Sequence, residues 1–140
     1  MKTRSARLQV PDRQLIQAAR RSARSAYAPY SNFRVGAAIL TERGEIFTGC
    51  NVENASYGLC NCAERTAIFT AVAAGRRRIR QVTIYTPTEK ATAPCGACRQ
   101  VIYEFGPDAR VLCICNGTDR IDTTITELLP HAFGPANLTT

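Results

Sequence analysis

Tryptophan is missing from this 140-residue chain, and histidine occurs once, as His131. The lone histidine lies outside the cysteine motifs, so it cannot complete a mixed histidine and cysteine ligand set there, and it reads as a solvated loop residue beside Phe133. There is no run of about 18 apolar residues, which excludes a membrane-spanning helix. The N-terminus also lacks the apolar stretch of a secretory signal. Seven cysteines is an odd number, and their spacing is not that of a disulfide framework. A reducing compartment, the cytoplasm, is expected. Acidic residues are few, 11 against 18 lysines and arginines, for a formal charge of +7. Charge of that sign can attract nucleic acid. Here the arginines at 13, 20, 21 and 24 fall away from Leu15, Ile16, Ala19 and Ala23, as on the solvated face of a helix. Arg76, Arg77 and Arg78 follow Gly75, where cations suit a helix C-terminus. Nucleic acid is therefore not the expected partner.

With 45% hydrophobic residues and no low-complexity tract, the chain suits one compact domain over residues 1–140, the first ten forming a loose tail. Residues 1–28, rich in Arg and Ser, bear a faint likeness to an organellar transit peptide. The apolar spacing favours an amphipathic helix over 11–27, closed by Pro29. Residues 33–39 alternate in polarity, and Thr41 to Gly44 turn the chain into 45–50, a β-hairpin pattern. A buried helix is predicted over 63–74, then a strand over 81–85, a helix over 96–105 stopped by Gly106-Pro107, and a strand over 111–115. Asn116-Gly117 turns into a short strand near Ile121, followed by a short helix before Pro130. Alternating strands and helices imply an α/β layer structure with at least one parallel pair in its sheet.

Chemistry concentrates in Cys62-Ala63-Glu64 and Pro94-Cys95-Gly96-Ala97-Cys98. Three thiolates and a carboxylate that need not coordinate are the inventory of a catalytic zinc site, which takes three protein ligands and keeps a fourth position open. Glu64, two residues past a ligand, can move protons beside the metal. Both motifs open helices, whose positive ends favour thiolates. Arg65 and Arg99 are candidates to offset the negative cluster. Two other readings compete. Cys95 and Cys98 alone could form a redox pair, although the tryptophan common before such motifs is absent. Cys60, Cys62, Cys95 and Cys98 together could form a closed structural site in a zinc-stabilised nucleic-acid-binding module. Cys50, Cys113 and Cys115 read as small buried hydrophobes.

The two motifs are similar to the signature of zinc deaminases, in which activated water replaces an amino group and a glutamate serves as base and then acid. Further runs extend the likeness: 27–33 (Tyr-Ala-Pro-Tyr-Ser-Asn-Phe), 35–38, 49–55 (Gly-Cys-Asn-Val-Glu-Asn-Ala), 62–67, 94–100, and Leu128-Leu129-Pro130 with Ala132-Phe133. Over residues 10–135 the chain resembles the cytidine deaminases of the small, homotetrameric, three-cysteine zinc class. The resemblance implies a three-layer α/β/α sandwich with a mixed sheet of about five strands. It also implies zinc on Cys62, Cys95 and Cys98, and Glu64 as the catalytic acid and base. Asn51 and Glu53 would hold the ribose 3′-hydroxyl, Phe33 would pack on the nucleoside, and the Ala63 backbone would bond the pyrimidine carbonyl. Phe133 would reach a neighbouring subunit's site, with Tyr57 also acting across an interface. The implied reaction converts cytidine and 2′-deoxycytidine to uracil nucleosides in pyrimidine salvage. A deaminase of a nucleoside antibiotic is a related alternative.

Overall fold

The structure, a computed structural model, describes residues 9–138, so the expected tail lies mostly outside the described residues. Helix α1 runs Asp12–Ala23 and buries Leu15, Ala19 and Ala23, the 4-residue spacing that makes one apolar stripe. Its acid, Asp12, sits in the first turn, at the positive end of the helix. The expected continuation to Tyr27 does not occur. Tyr27 instead donates its N–H to the Asn51 carbonyl (3.0 Å) and accepts from the Glu53 N–H (2.8 Å), so backbone pairing with residues 51–53 draws it out of the helix.

Five strands form one sheet in the order β2-β1-β3-β4-β5. They are β1 (Gly36–Thr41), β2 (Ile46–Cys50), β3 (Ile79–Tyr85), β4 (Arg110–Ile114) and β5 (Ile121–Thr124). β3 and β4 are parallel, and the other neighbours are antiparallel. The parallel pair needs a crossover, which α3 (Gly96–Phe105) supplies. Strand β1 begins three residues later than its polarity pattern suggested, because the Asn51 side chain holds the preceding backbone. Its oxygen accepts from Val35 N–H (2.8 Å) and its nitrogen donates to the Phe33 carbonyl (2.7 Å).

Period-2 alternation sorts the sheet into two faces. Ala37, Ile39, Val82, Ile84, Val111 and Cys113 pack with Ala63, Ala67 and Ile68 of α2 (Ala63–Ala73) and Ile102 of α3. The short α4 (Ile125–Leu128) adds Ile125 to that core. Ala38 and Leu40 turn the other way, onto Leu15 and Ala19 of α1. The result is the expected α/β/α sandwich on a mixed five-stranded sheet. Helix α2 ends in a left-handed Gly75 (φ 85°), with the Gly75 and Arg76 N–H groups returning to the Val72 and Ala71 carbonyls. The side chains of Arg76 and Arg78 reach Glu45 and Glu42 instead of that helix end, a correction to the expected cap.

Two glycines let the helices sit close. A β-carbon on Gly36 would stand 1.9 Å from the Ala19 carbonyl oxygen of α1, and one on Gly49 would stand 2.3 Å from Ala67 N and 2.7 Å from Ala63 O of α2. Farther from these contacts, Arg110 of β4 binds Asp12 of α1 (2.8 Å) and Asp122 of β5 (2.8 Å), fastening the first helix to the last two strands. Gly49→Ala is expected to lower stability by about 1–3 kcal/mol, since backbone on both sides must separate to admit the methyl. Urea unfolding would show the drop in midpoint, and the variant should also bind less zinc because α2 moves.

Candidate active site

The site is assembled where two helices begin. Cys62 is the N-cap of α2, Glu64 lies in its first turn, Cys95 is the N-cap of α3, and Cys98 lies one turn into it. The ligand atoms of Cys62, Cys95 and Cys98 lie within 4.8 Å of one another, and no other such group occurs among the described residues. Cys62 Sγ and Cys95 Sγ are 3.8 Å apart. Ligands about 2.3 Å from a tetrahedral zinc stand about 3.8 Å from each other, so the spacing fits that ion.

Charge in the cluster points the same way. The Cys62 thiol is drawn down to about 5, first by hydrogen bonding with Cys98, against the effect of burial, and further by Arg65 and Cys95. Arg65 Nη2 donates to Cys62 Sγ at 3.2 Å. Cys98 is pushed up by its bond to Cys62, by burial, and by the negative charges of Glu64 and Cys62. A second thiolate is thus disfavoured beside the first, and a cation among the sulfurs is what allows all three to ionise. Arg65 Nε is buried with no hydrogen-bond partner among the described residues. Arg99, the other expected counter-charge, is directed elsewhere. It donates to the Pro94 carbonyl (2.8 Å) and the Leu128 carbonyl (3.0 Å), tying the start of α3 to α4.

Glu64 is 4% exposed. Burial raises its carboxyl above the ordinary range, and the Cys62 charge adds to that rise. It forms part of the wall of a cleft of about 230 Å³, lined also by Phe33, Asn51, Cys62, Ala63 and Cys95. Val35, Ile84, Thr86, Thr92, Ala93 and Pro94 complete the lining. Of these, Thr86, Thr92 and Ala93 carry no motif in the sequence, although Thr86 follows β3, at the carboxyl strand ends where ligands of α/β sheets sit.

The remaining predicted residues are not all gathered there. Glu53 is not among the lining residues and accepts hydrogen bonds from Ser31 Oγ and from the Tyr30 and Ser31 N–H groups. The Ser31 hydroxyl in particular holds its carboxyl below the usual range. Tyr57, 73% exposed, has its ring edge-on to Tyr30 at 5.7 Å. Phe133, 59% exposed, lines a separate apolar groove with Phe69, Val101, Phe105 and Leu138. Cys60 does not join the sulfur cluster. Its Sγ accepts from Asn54 N–H at 3.3 Å, which removes the four-cysteine site from consideration. Burial pushes the Cys113 thiol up to about 12, in keeping with a neutral packing group.

Comparison with known proteins agrees with this geometry. A family model described as "Cytidine and deoxycytidylate deaminase zinc-binding region" matches residues 9–115. The chain belongs to that family. Its metal is zinc, and the three-sulfur cluster fits it. A cytidine deaminase from Sporosarcina psychrophila is 46% identical over 89% of this chain and 92% of its own length. One from Halalkalibacterium halodurans is 48% identical over 87% and 94%. The crystal structure of cytidine deaminase from Burkholderia pseudomallei superposes with a TM-score of 0.86 at 51% identity, covering 89% of this chain and all (100%) of that one. The family match spans both helices that build the site.

Metal content separates the cysteines. Cys98→Ala should purify with most of its zinc lost, whereas Cys60→Ala should retain the wild-type stoichiometry, as read by atomic absorption on the folded proteins.

Proposed function

We propose that the protein catalyses hydrolytic deamination of cytidine and 2′-deoxycytidine to uridine and 2′-deoxyuridine. The observation that carries this reading is Glu64, a buried carboxyl two residues past Cys62, in the wall of a cleft shared with Phe33 and Asn51. The names of the relatives at 46–48% identity support cytidine as the substrate. Cys62, Cys95 and Cys98 would hold the metal. Zinc, when bound, supplies the Lewis acidity that brings the ionisation of water from 15.7 to about 7.

The chain's own residues do the rest. Phe33 offers an aromatic face to the base. Ala63, the first residue of α2, carries an N–H that has no acceptor within the helix and is available to the pyrimidine carbonyl. Asn51 and Glu53 fix the sugar, the ionised Glu53 accepting from a hydroxyl. Glu64 takes one proton from the attacking water and returns it to the ring nitrogen, then takes the second from the new hydroxyl on the ring carbon and delivers it to the departing amine. One C–N bond breaks, one C–O bond forms, and ammonia leaves. Arg65, bonded to Cys62, reduces the negative charge of the ligand set and keeps its sulfurs oriented.

The same reading makes the chain one domain, cytoplasmic, active in pyrimidine salvage and assembled as a homotetramer. No helix among the described residues is long and apolar enough to cross a membrane. Exposed Tyr57, Leu59, Phe69, Phe133 and Leu138 provide apolar surface for subunit contacts. Phe133 and Tyr57 then act in a neighbouring subunit's site.

Uridine formation from cytidine tests the chemistry. Glu64→Ala at matched zinc content should lose about 10²–10⁴ in kcat/KM, the range of a removed general acid and base. Activity within a few-fold of wild type would defeat the assignment. Light scattering should give a tetramer, and Phe133→Ala should raise KM several-fold with zinc retained. An unchanged KM would remove Phe133 from the site.

A further inference from the structure

One wall of the cleft has no regular secondary structure to hold it. Residues 86–94 leave the end of β3 and return to the chain at Cys95, the N-cap of α3. Thr86, Thr92, Ala93 and Pro94 of this segment line the cleft. Backbone polar groups need partners, so the supports of such a segment can be traced bond by bond.

Apart from the Pro94 carbonyl, which Arg99 holds, they lead to one place. Thr86 N–H donates to the Ile114 carbonyl (3.1 Å), and the Thr88 carbonyl accepts from Asn116 N–H (2.8 Å). The Glu89 carbonyl accepts from Cys115 Sγ at 3.3 Å. Ala91 N–H, immediately before the lining residues, donates to Asp119 Oδ2 at 2.9 Å. All four supports come from residues 114–119, the end of β4 and the turn into β5. Within the segment, Thr88 Oγ meets Thr86 Oγ at 2.8 Å and donates to the Lys90 carbonyl at 2.6 Å, which stiffens the first bend. The turn also touches the segment backbone to backbone. A β-carbon on Gly117 would stand 2.2 Å from the Glu89 carbonyl oxygen, so only glycine permits the approach.

We propose that Gly117 and Asp119 are positioning residues that seat the Thr92–Ala93 wall and so set the width left for the base beside Phe33. This rests on the reading of the cleft as the nucleoside site. Neither residue lines the cleft. Both act through residues 89–91. Asp119 supplies the acceptor that fixes Ala91, and Gly117 supplies the clearance that brings residue 89 against the turn. The zinc ligands lie past Pro94, whose carbonyl is separately held by Arg99. The wall can therefore shift while the sulfur cluster stays in place.

The test uses the zinc-loaded full chain and three variants. Asp119→Ala should raise KM for cytidine about five-fold with kcat within about two-fold, the scale of one lost hydrogen bond. Asp119→Asn keeps an acceptor oxygen and should restore KM. Gly117→Ala should raise KM about ten-fold or more, because backbone must move. All three should keep their zinc, and hydrogen exchange at Ala91 should accelerate in Asp119→Ala. Unchanged KM in both Asp119→Ala and Gly117→Ala would overturn the proposal. Loss of zinc together with equal falls in kcat and kcat/KM would also overturn it, since that pattern belongs to a general structural role. Calorimetric binding of uridine gives a readout apart from turnover. A wild type that binds uridine without turning over cytidine would fail the reaction assignment alone, and the variants' uridine affinities would then decide the positioning role of Gly117 and Asp119. A wild type that neither binds nor reacts overturns both.

Discussion

The close approach of α2 to the β1–β2 edge at Gly49 is the constraint on which the site depends. Ala63 and Ala67, the α2 residues nearest that glycine, flank the turn that carries Glu64 and follows Cys62. A larger residue at position 49 would lift the helix start from the sheet, and with it one metal ligand and the proton carrier together. Gly36 does the same for α1 on the opposite face. The sheet is thus clamped between helices at two points without side chains, which fixes heights more tightly than packed side chains with rotamer freedom can.

Electrostatics completes what packing begins. Two helix N-termini converge on three sulfurs, and their partial positive charges favour thiolates. Arg65 adds a full charge at hydrogen-bond distance from Cys62. The net effect is a ligand set that tolerates three negative sulfurs around one divalent ion. Glu64, in the same turn but buried, experiences the opposite influence, because burial and the nearby sulfur charge disfavour its ionised form. Two residues at the start of one helix, separated only by Ala63, are therefore biased in opposite directions, a thiol toward loss of its proton and a carboxyl toward keeping one.

Much of this is legible in the sequence. Cys62-x-Glu64 and Cys95-x-x-Cys98 are local patterns whose spacing is set by helix geometry, and α3 begins and ends at the residues its stop signal Gly106-Pro107 suggested. Long-range backbone pairing was not legible. The departure of Tyr27 from α1 and the late start of β1 both come from bonds to residues 51–53 and to the Asn51 side chain, far along the sequence. Cys60 resembled a ligand by spacing alone, and only the hydrogen bond with Asn54 explains its different direction. The direction of Arg99 is hidden for a similar reason, since a sequence does not show that two backbone carbonyls claim its guanidinium.

Arg110 joins Asp12 across 98 positions of sequence, bringing the first helix into register with strands that lie near the other end of the described chain. During synthesis α1 leaves the ribosome long before β4 exists, so this fastening cannot form until most of the chain has been made. The sulfur trio has a similar schedule, because Cys62 waits for Cys95 and Cys98. The fastening of the first helix to β4 and capture of the metal therefore both fall late in translation, and a chain interrupted before residue 95 would leave the β4-facing edge of β3 unpaired and the ligand set unfilled.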